Sequence, residues 1–313
     1  MGMKRMKRRV RVLVALLIWS SISVGAIAFL PVTAMSQGTA PRPIPAELRP
    51  LGVPSVGRVR VLELESKLMA RRMPVQVALP KSYSDPEHSG RRYPVAYMLH
   101  GLTGRFTDWF DRTMIEDSNG DLIIVTPEGE NGWYTDSLHQ DNKHYESYIV
   151  KELIPAIDRE FRTLPRRQSR AIAGLSMGGY GAIKFGIKYP EMFALAGSFS
   201  GALGAASYTV ESRGQLAKTI DEIMGPAGSE TRKANDVFYL IESATDEKLK
   251  TLPFIYFDCG TEDFLFQTNR DFMDLLVKRK IPHEYRQMPG THNWEYWGAQ
   301  IQEFLDVSHK HLY

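Results

Sequence analysis

The 313-residue chain predicts an α/β fold: a mostly parallel central sheet with helices on both faces and a small helical insertion near the active edge. Three observations carry this. Short apolar runs recur along the chain, as buried parallel strands do: Val95 running into the small-residue turn that ends at Gly104, Leu122–Pro127, Phe193–Ser198 and Thr251–Gly260. Ile149, Leu153, Ile157 and Phe161 recur every four residues, a helical stripe. Finally, Arg170-Ala171-Ile172-Ala173 runs into Gly174-Leu175-Ser176-Met177-Gly178 and then Gly179-Tyr180-Gly181-Ala182, which reads as strand, tight turn and helix.

The elements follow in chain order. Residues 1–36 form a leader: six basic residues up to Arg11, the apolar run Val12–Leu30, and Ala34-Met35-Ser36 as an A-x-S-like cleavage site. It predicts a cleaved export signal, hence a secreted or periplasmic protein. The alternative is an uncleaved anchor facing the exterior, since 19 residues are enough to span a bilayer. Proline-rich residues 37–57 read as an extended linker. The catalytic domain is expected over 58–313. Arg58–Leu64 and Pro74–Leu79 alternate as an antiparallel pair, Ser82–Arg92 is a polar loop, and Pro155 should kink the helix that carries Ile157. Between Gly201 and Lys250 lie about fifty polar, helix-prone residues expected to form a cap. Lys280–Met288 alternates like an edge strand, and a last helix begins near Trp294.

The overall charge of +3 is misleading, because the leader holds six basic residues and no acidic ones. The rest carries 33 basic against 36 acidic residues, which offers no case for nucleic acid. The single cysteine, Cys259, lies in an apolar run and reads as a buried thiol, so no intrachain disulfide forms. The histidines show no ligand spacing such as H-x-x-x-H, so no metal and no cofactor is expected.

The stretch around Ser176 is the nucleophile elbow of an α/β-hydrolase. Glycines flank the serine because strand and helix crowd together there. In this fold the acid and then the histidine follow in the chain. Asp258, Glu262 and Asp263 compete for the acid. Adjacent side chains diverge, so one of the last two can face a histidine, and the residues themselves favour neither. His292, in Pro289-Gly290-Thr291-His292-Asn293-Trp294, lies on a loop at a strand end; its bland reading is a cap for the helix at Trp294. An oxyanion hole needs two N–H groups. Met177, next to the nucleophile, supplies one. Leu102, after His100-Gly101 at the end of a strand, supplies the other, with His100 shaping that turn. His100, Gly101, Trp133, Tyr134 and Trp294 are candidate substrate contacts, although aromatic residues of this kind are as often core.

These blocks resemble the esterase D-type branch of the α/β-hydrolases, which holds short-chain acyl esterases, S-formylglutathione hydrolases, feruloyl and acetyl-xylan esterases and mycolyltransferases. The resemblance covers about residues 57–309, including Trp133-Tyr134-Thr135-Asp136 and Gly260-Thr261-Glu262-Asp263. It implies that the acid is Asp263, in the Gly-Thr-x-Asp turn, and places the oxyanion donors on Leu102 and Met177. The expectation is an exported serine esterase cleaving short-chain acyl esters, small-molecule or carbohydrate, through Ser176, His292 and Asp263. An acyltransferase using the same acyl-enzyme is the nearer alternative. A non-catalytic binding protein is the farther one, and its mark would be a degraded triad.

Overall fold

The computed structural model describes residues 47–52 and 57–312, so the leader and most of the linker lie outside the described residues. Nine strands form one sheet in the order β1-β2-β3-β5-β4-β6-β7-β8-β9. They are β1 (Leu48–Pro50), β2 (Val59–Ser66), β3 (Arg71–Ala78), β4 (Val95–Leu99), β5 (Ile123–Pro127), β6 (Arg170–Leu175), β7 (Leu195–Phe199), β8 (Phe254–Gly260) and β9 (His283–Met288). The pairs β1–β2, β2–β3 and β3–β5 are antiparallel, and all pairs from β5 through β4 to β9 are parallel. β9 closes one edge, as its alternation predicts. At the other edge lies β1, drawn from the stretch expected to be linker. Leu48 packs against the core there, and Pro50, which has no N–H to donate, is tolerated at an edge.

Alternation along each strand splits the core into two layers. Val95, Tyr97 and Leu99 of β4 face one way, with the helix Met177–Lys188, the helical stretch around Ile149 and Ile157, and the helix Phe266–Lys278. Ala96 and Met98 face the other way, with Trp109 and the closing helix Trp294–His311. The kink expected at Pro155 takes a definite form. Tyr148–Leu153 widens into a π-helical turn, in which the N–H of Ile154 reaches back to the carbonyl of Ile149. The proline ring clashes with the carbonyl one turn earlier, and the wider turn relieves that clash.

The insertion between β7 and β8 is a chain of short helices, the longest being Gln215–Met224. Its hub is the buried Arg232. Its guanidinium donates to the carbonyls of Ala206 at 2.8 Å, Gly225 at 3.0 Å and Tyr208 at 3.0 Å, and pairs with Asp221 at 3.0 Å. No helix among the described residues is long and apolar enough to cross a membrane.

Strand order reverses at β4 and β6, which lie side by side although β5 separates them in the chain. The carboxyl ends of strands at such a point form the crevice where open α/β sheets bind ligands.

Candidate active site

Both turns in that crevice are held tightly. Ser176, directly after β6, has φ 53° and ψ −115°, a conformation that a residue with a side chain adopts only under constraint. The constraint is visible. Its N–H donates to the carbonyl of Phe199 at 2.9 Å, and its own carbonyl accepts from Ala202 at 2.9 Å and Tyr180 at 3.0 Å. A Cβ on Gly174 would come within 2.5 Å of the Gly178 carbonyl carbon and 2.8 Å of the Leu99 Cβ, so only glycine lets strand and helix pass this closely. The twelve-residue helix Met177–Lys188 then begins with its unpaired N–H groups directed at the serine, where they favour negative charge.

The histidine and acid arrive from neighbouring strand ends. His292 Nε2 lies 3.0 Å from Ser176 Oγ, and its Nδ1 lies 2.7 Å from Asp263 Oδ2. The Asp263 side chain is fully buried, and its other oxygen accepts the N–H of Leu265 at 2.8 Å. The cap of the closing helix is Asn293, not His292: the Asn293 side chain accepts from the N–H of Tyr296 at 3.0 Å. That leaves the imidazole free to face the serine. Trp297 packs edge-on against the ring, with centroids 4.9 Å apart.

The other two acids have different surroundings. Glu262 points away and accepts the N–H of Gly290, bracing the histidine loop from outside. That N–H and the hydroxyl of Thr261 hold its carboxyl below the usual range. Asp258 is completely buried, with the hydroxyl of Tyr256 donating to it at 3.1 Å. Burial pushes its pKa up to about 8. Beside it, burial drives the Cys259 thiol far up as well, so it stays protonated.

The β4 turn is braced from behind. His100 is buried, with Nδ1 at 2.8 Å from the Gly101 carbonyl and Nε2 at 2.9 Å from Glu128. Burial opposes a charge on Glu128, but the hydrogen bond and charge of His100, together with the N–H groups of Glu130 and Phe106, hold its carboxyl below the usual range. Thr103, at φ 62°, donates its N–H to Asn131 Oδ1 at 2.7 Å. The N–H groups of Leu102 and Met177 are taken by no other described residue, so both remain available at the crevice.

A cleft of about 530 Å³ opens over Ser176 and His292. Gly101, Leu102, Trp133 and Trp294 line it. Two expected contacts sit elsewhere. His100 and Tyr134 lie behind the wall, where the Tyr134 hydroxyl donates to the His100 carbonyl at 3.0 Å. Met177 is buried too, so it presents its N–H and not its side chain. Trp133 and Tyr134 share left-handed backbone, at φ 52° and 49°; both rings are buried in the core, and of the two only Trp133 also lines the cleft. The buried Lys184 holds this turn, donating to the Tyr134 carbonyl at 2.8 Å and pairing with Glu146 at 2.9 Å.

Sequence reasoning missed several lining residues: Asp108, Arg112, Tyr208, Leu216, Phe264 and Trp297. Phe264 had a signal in its place beside Asp263, and Tyr208 and Leu216 lie in the segment expected to form a cap. Chemically, the site joins a hydroxyl, an imidazole and a carboxylate in series, next to two free N–H donors. That is equipment for activating a nucleophile and holding an oxyanion.

Residues 66–306 match the model of the Esterase family, described as "Putative esterase". The chain is 28% identical over 247 residues to an acetyl esterase of Caldicellulosiruptor saccharolyticus, covering 75% of this chain and 92% of that one. It is 32% identical over 240 residues to an esterase of Mycobacterium tuberculosis, covering 70% of this chain and 52% of that longer protein. Among solved structures, a ferulic acid esterase superposes with a TM-score of 0.68 at 25% identity, over 84% of this chain and 99% of that one. A fluorophosphonate-binding serine hydrolase of Staphylococcus aureus superposes with a TM-score of 0.69 at 25% identity, over 84% and 98%.

Proposed function

We propose, from the premise that this chain belongs to the Esterase family and is a serine hydrolase of carboxylic esters, that it is an exported esterase cleaving short-chain acyl esters through Ser176, His292 and Asp263. The observation that supports this most is the unbroken hydrogen-bond path from Asp263 through His292 to Ser176, at 2.7 and 3.0 Å. His292 takes the Ser176 proton as Oγ attacks the ester carbonyl, while Asp263 holds the Nδ1–H tautomer. The N–H groups of Leu102 and Met177 hold the oxyanion. Collapse of the tetrahedral intermediate expels the alcohol with the proton from His292, and water then releases the acid by the same steps in reverse.

Similarity to an acetyl esterase and a ferulic acid esterase supports esters of small acids, with a small-molecule or carbohydrate alcohol. The test is turnover of a panel of p-nitrophenyl esters from acetyl to palmitoyl, with and without an added alcohol acceptor. Free acid as the main product supports the hydrolase; ester of the added alcohol would convert the reading to an acyltransferase. Export rests on the leader, and the N-terminus of the mature protein tests it: a start near residue 37 supports cleavage, an intact leader the anchor.

A further inference from the structure

Phe264 is 63% exposed, although it follows directly on the buried Asp263 and lines the cleft. It is nevertheless held in place. Its ring lies 4.7 Å from the imidazole of His292, tilted by 52°. The guanidinium of Arg213, on the insertion, sits 5.6 Å from that ring and 4.9 Å from the ring of Tyr208, so insertion and acid loop meet at the cleft mouth.

The chemistry says which half of the ester meets this corner. During acylation the Oγ–carbonyl bond forms and the carbonyl–alkoxy bond breaks. The proton that left Ser176 goes from His292 Nε2 to the departing alkoxy oxygen. That oxygen must therefore sit at Nε2, and whatever flanks the open side of the imidazole flanks the alcohol. The carbonyl oxygen, by contrast, faces the N–H groups of Leu102 and Met177.

We infer that Phe264 is the specificity-determining residue for the alcohol half, and that with Arg213 it forms a platform for a sugar ring. This rests on the serine-esterase reading above. A sugar ring presents an apolar C–H face and a rim of hydroxyls. The part of the phenyl ring that Arg213 and His292 leave exposed matches the face. The exposed guanidinium groups of Arg213 and Arg112, the second also lining the cleft, supply donors for the rim. A phenol would use the ring and leave those donors unmatched, and a small aliphatic alcohol would use neither.

The test compares wild type and Phe264→Ala on three acetates: ethyl acetate, phenyl acetate and a monoacetylated methyl pentopyranoside. Some loss on all three is expected, because Phe264 touches His292. The reading is the ratio of kcat/KM for the sugar acetate to that for ethyl acetate, which should fall about tenfold, mainly through KM, the size of one lost ring contact. Phe264→Trp should keep that ratio. An equal loss on all three esters would overturn the inference and leave Phe264 as support for the imidazole. A ratio lost only for phenyl acetate would overturn the sugar assignment, and an unchanged ratio would overturn the platform altogether. If wild type hydrolysed none of the three, the esterase reading itself would fall, and the platform with it.

Discussion

Ser176 is poised because its neighbours hold it in a conformation it would not adopt unaided. Removing the hydroxyl disturbs none of those neighbours, so Ser176→Ala should stay folded while losing ~10⁴-fold or more in kcat. Retention of a tenth of wild-type turnover on p-nitrophenyl acetate would remove Ser176 from the mechanism. The acid gives a sharper comparison. Asp263→Asn keeps the shape but replaces an oxygen acceptor with an amide, which favours the wrong His292 tautomer. Near neutral pH the expected loss is ~10³–10⁴-fold. Glu262→Gln loosens only the Gly290 turn and should cost far less. The reverse ranking, in a side-by-side assay, would make Glu262 the acid.

At the scale of elements, the insertion depends on one buried cation. Arg232 ties the segments at Ala206, Tyr208, Asp221 and Gly225 together. Arg232→Ala would leave three carbonyls without their donor, at ~1–3 kcal/mol for each group left unsatisfied. The sheet and elbow do not depend on these bonds. Hydrogen exchange should therefore rise across residues 205–233 while β4, β6 and the helix Met177–Lys188 keep their protection. KM should rise more than kcat falls, because Tyr208 and Leu216 line the cleft. Uniform loss of protection across the sheet would show that the insertion is part of the core's cooperative unit.

For the whole molecule, Asp258 sets a pH dependence of stability. Its pKa rises from an ordinary 3.8 to about 8 through burial. The folded state thus binds a proton that the unfolded state has lost between those pH values. Its contribution is fully present below pH 3.8 and is lost as the pH climbs through about 8. Asp258→Asn removes the titration, so the melting temperature of the variant, relative to wild type, should climb between pH 5 and about 8 and level off above it. A constant difference would mean that Asp258 is ionised in the fold. Substrate size also belongs to this scale. Each buried CH₂ adds ~0.8 kcal/mol only while the cleft has room. A compact insertion and Leu102 beside the oxyanion position favour acetyl to butyryl esters over chains of eight carbons or more. A rate profile still rising at palmitoyl would contradict this.

The amino-acid sequence by itself determined the strand–turn–helix at Ser176 and the buried strands. These are local matters, decided by glycine sterics and hydrophobic period within a few residues. It left two choices between neighbours open and read a third segment as linker. Glu262 and Asp263 are adjacent carboxylates on one turn, and their residue types do not say which faces inward; family resemblance, not spacing, selected Asp263. Trp133 and Tyr134 are adjacent aromatics on left-handed backbone, yet one lines the cleft and the other holds the His100 carbonyl. Leu48–Pro50 looked like linker until β2 offered it an edge to pair with. In each case the deciding partner lies far off in the chain: His292 for Asp263, Lys184 and His100 for the aromatic pair, Leu62–Leu64 for the edge strand. Side-chain direction at a turn is set by what packs against it, and only the tertiary structure brings those partners within reach.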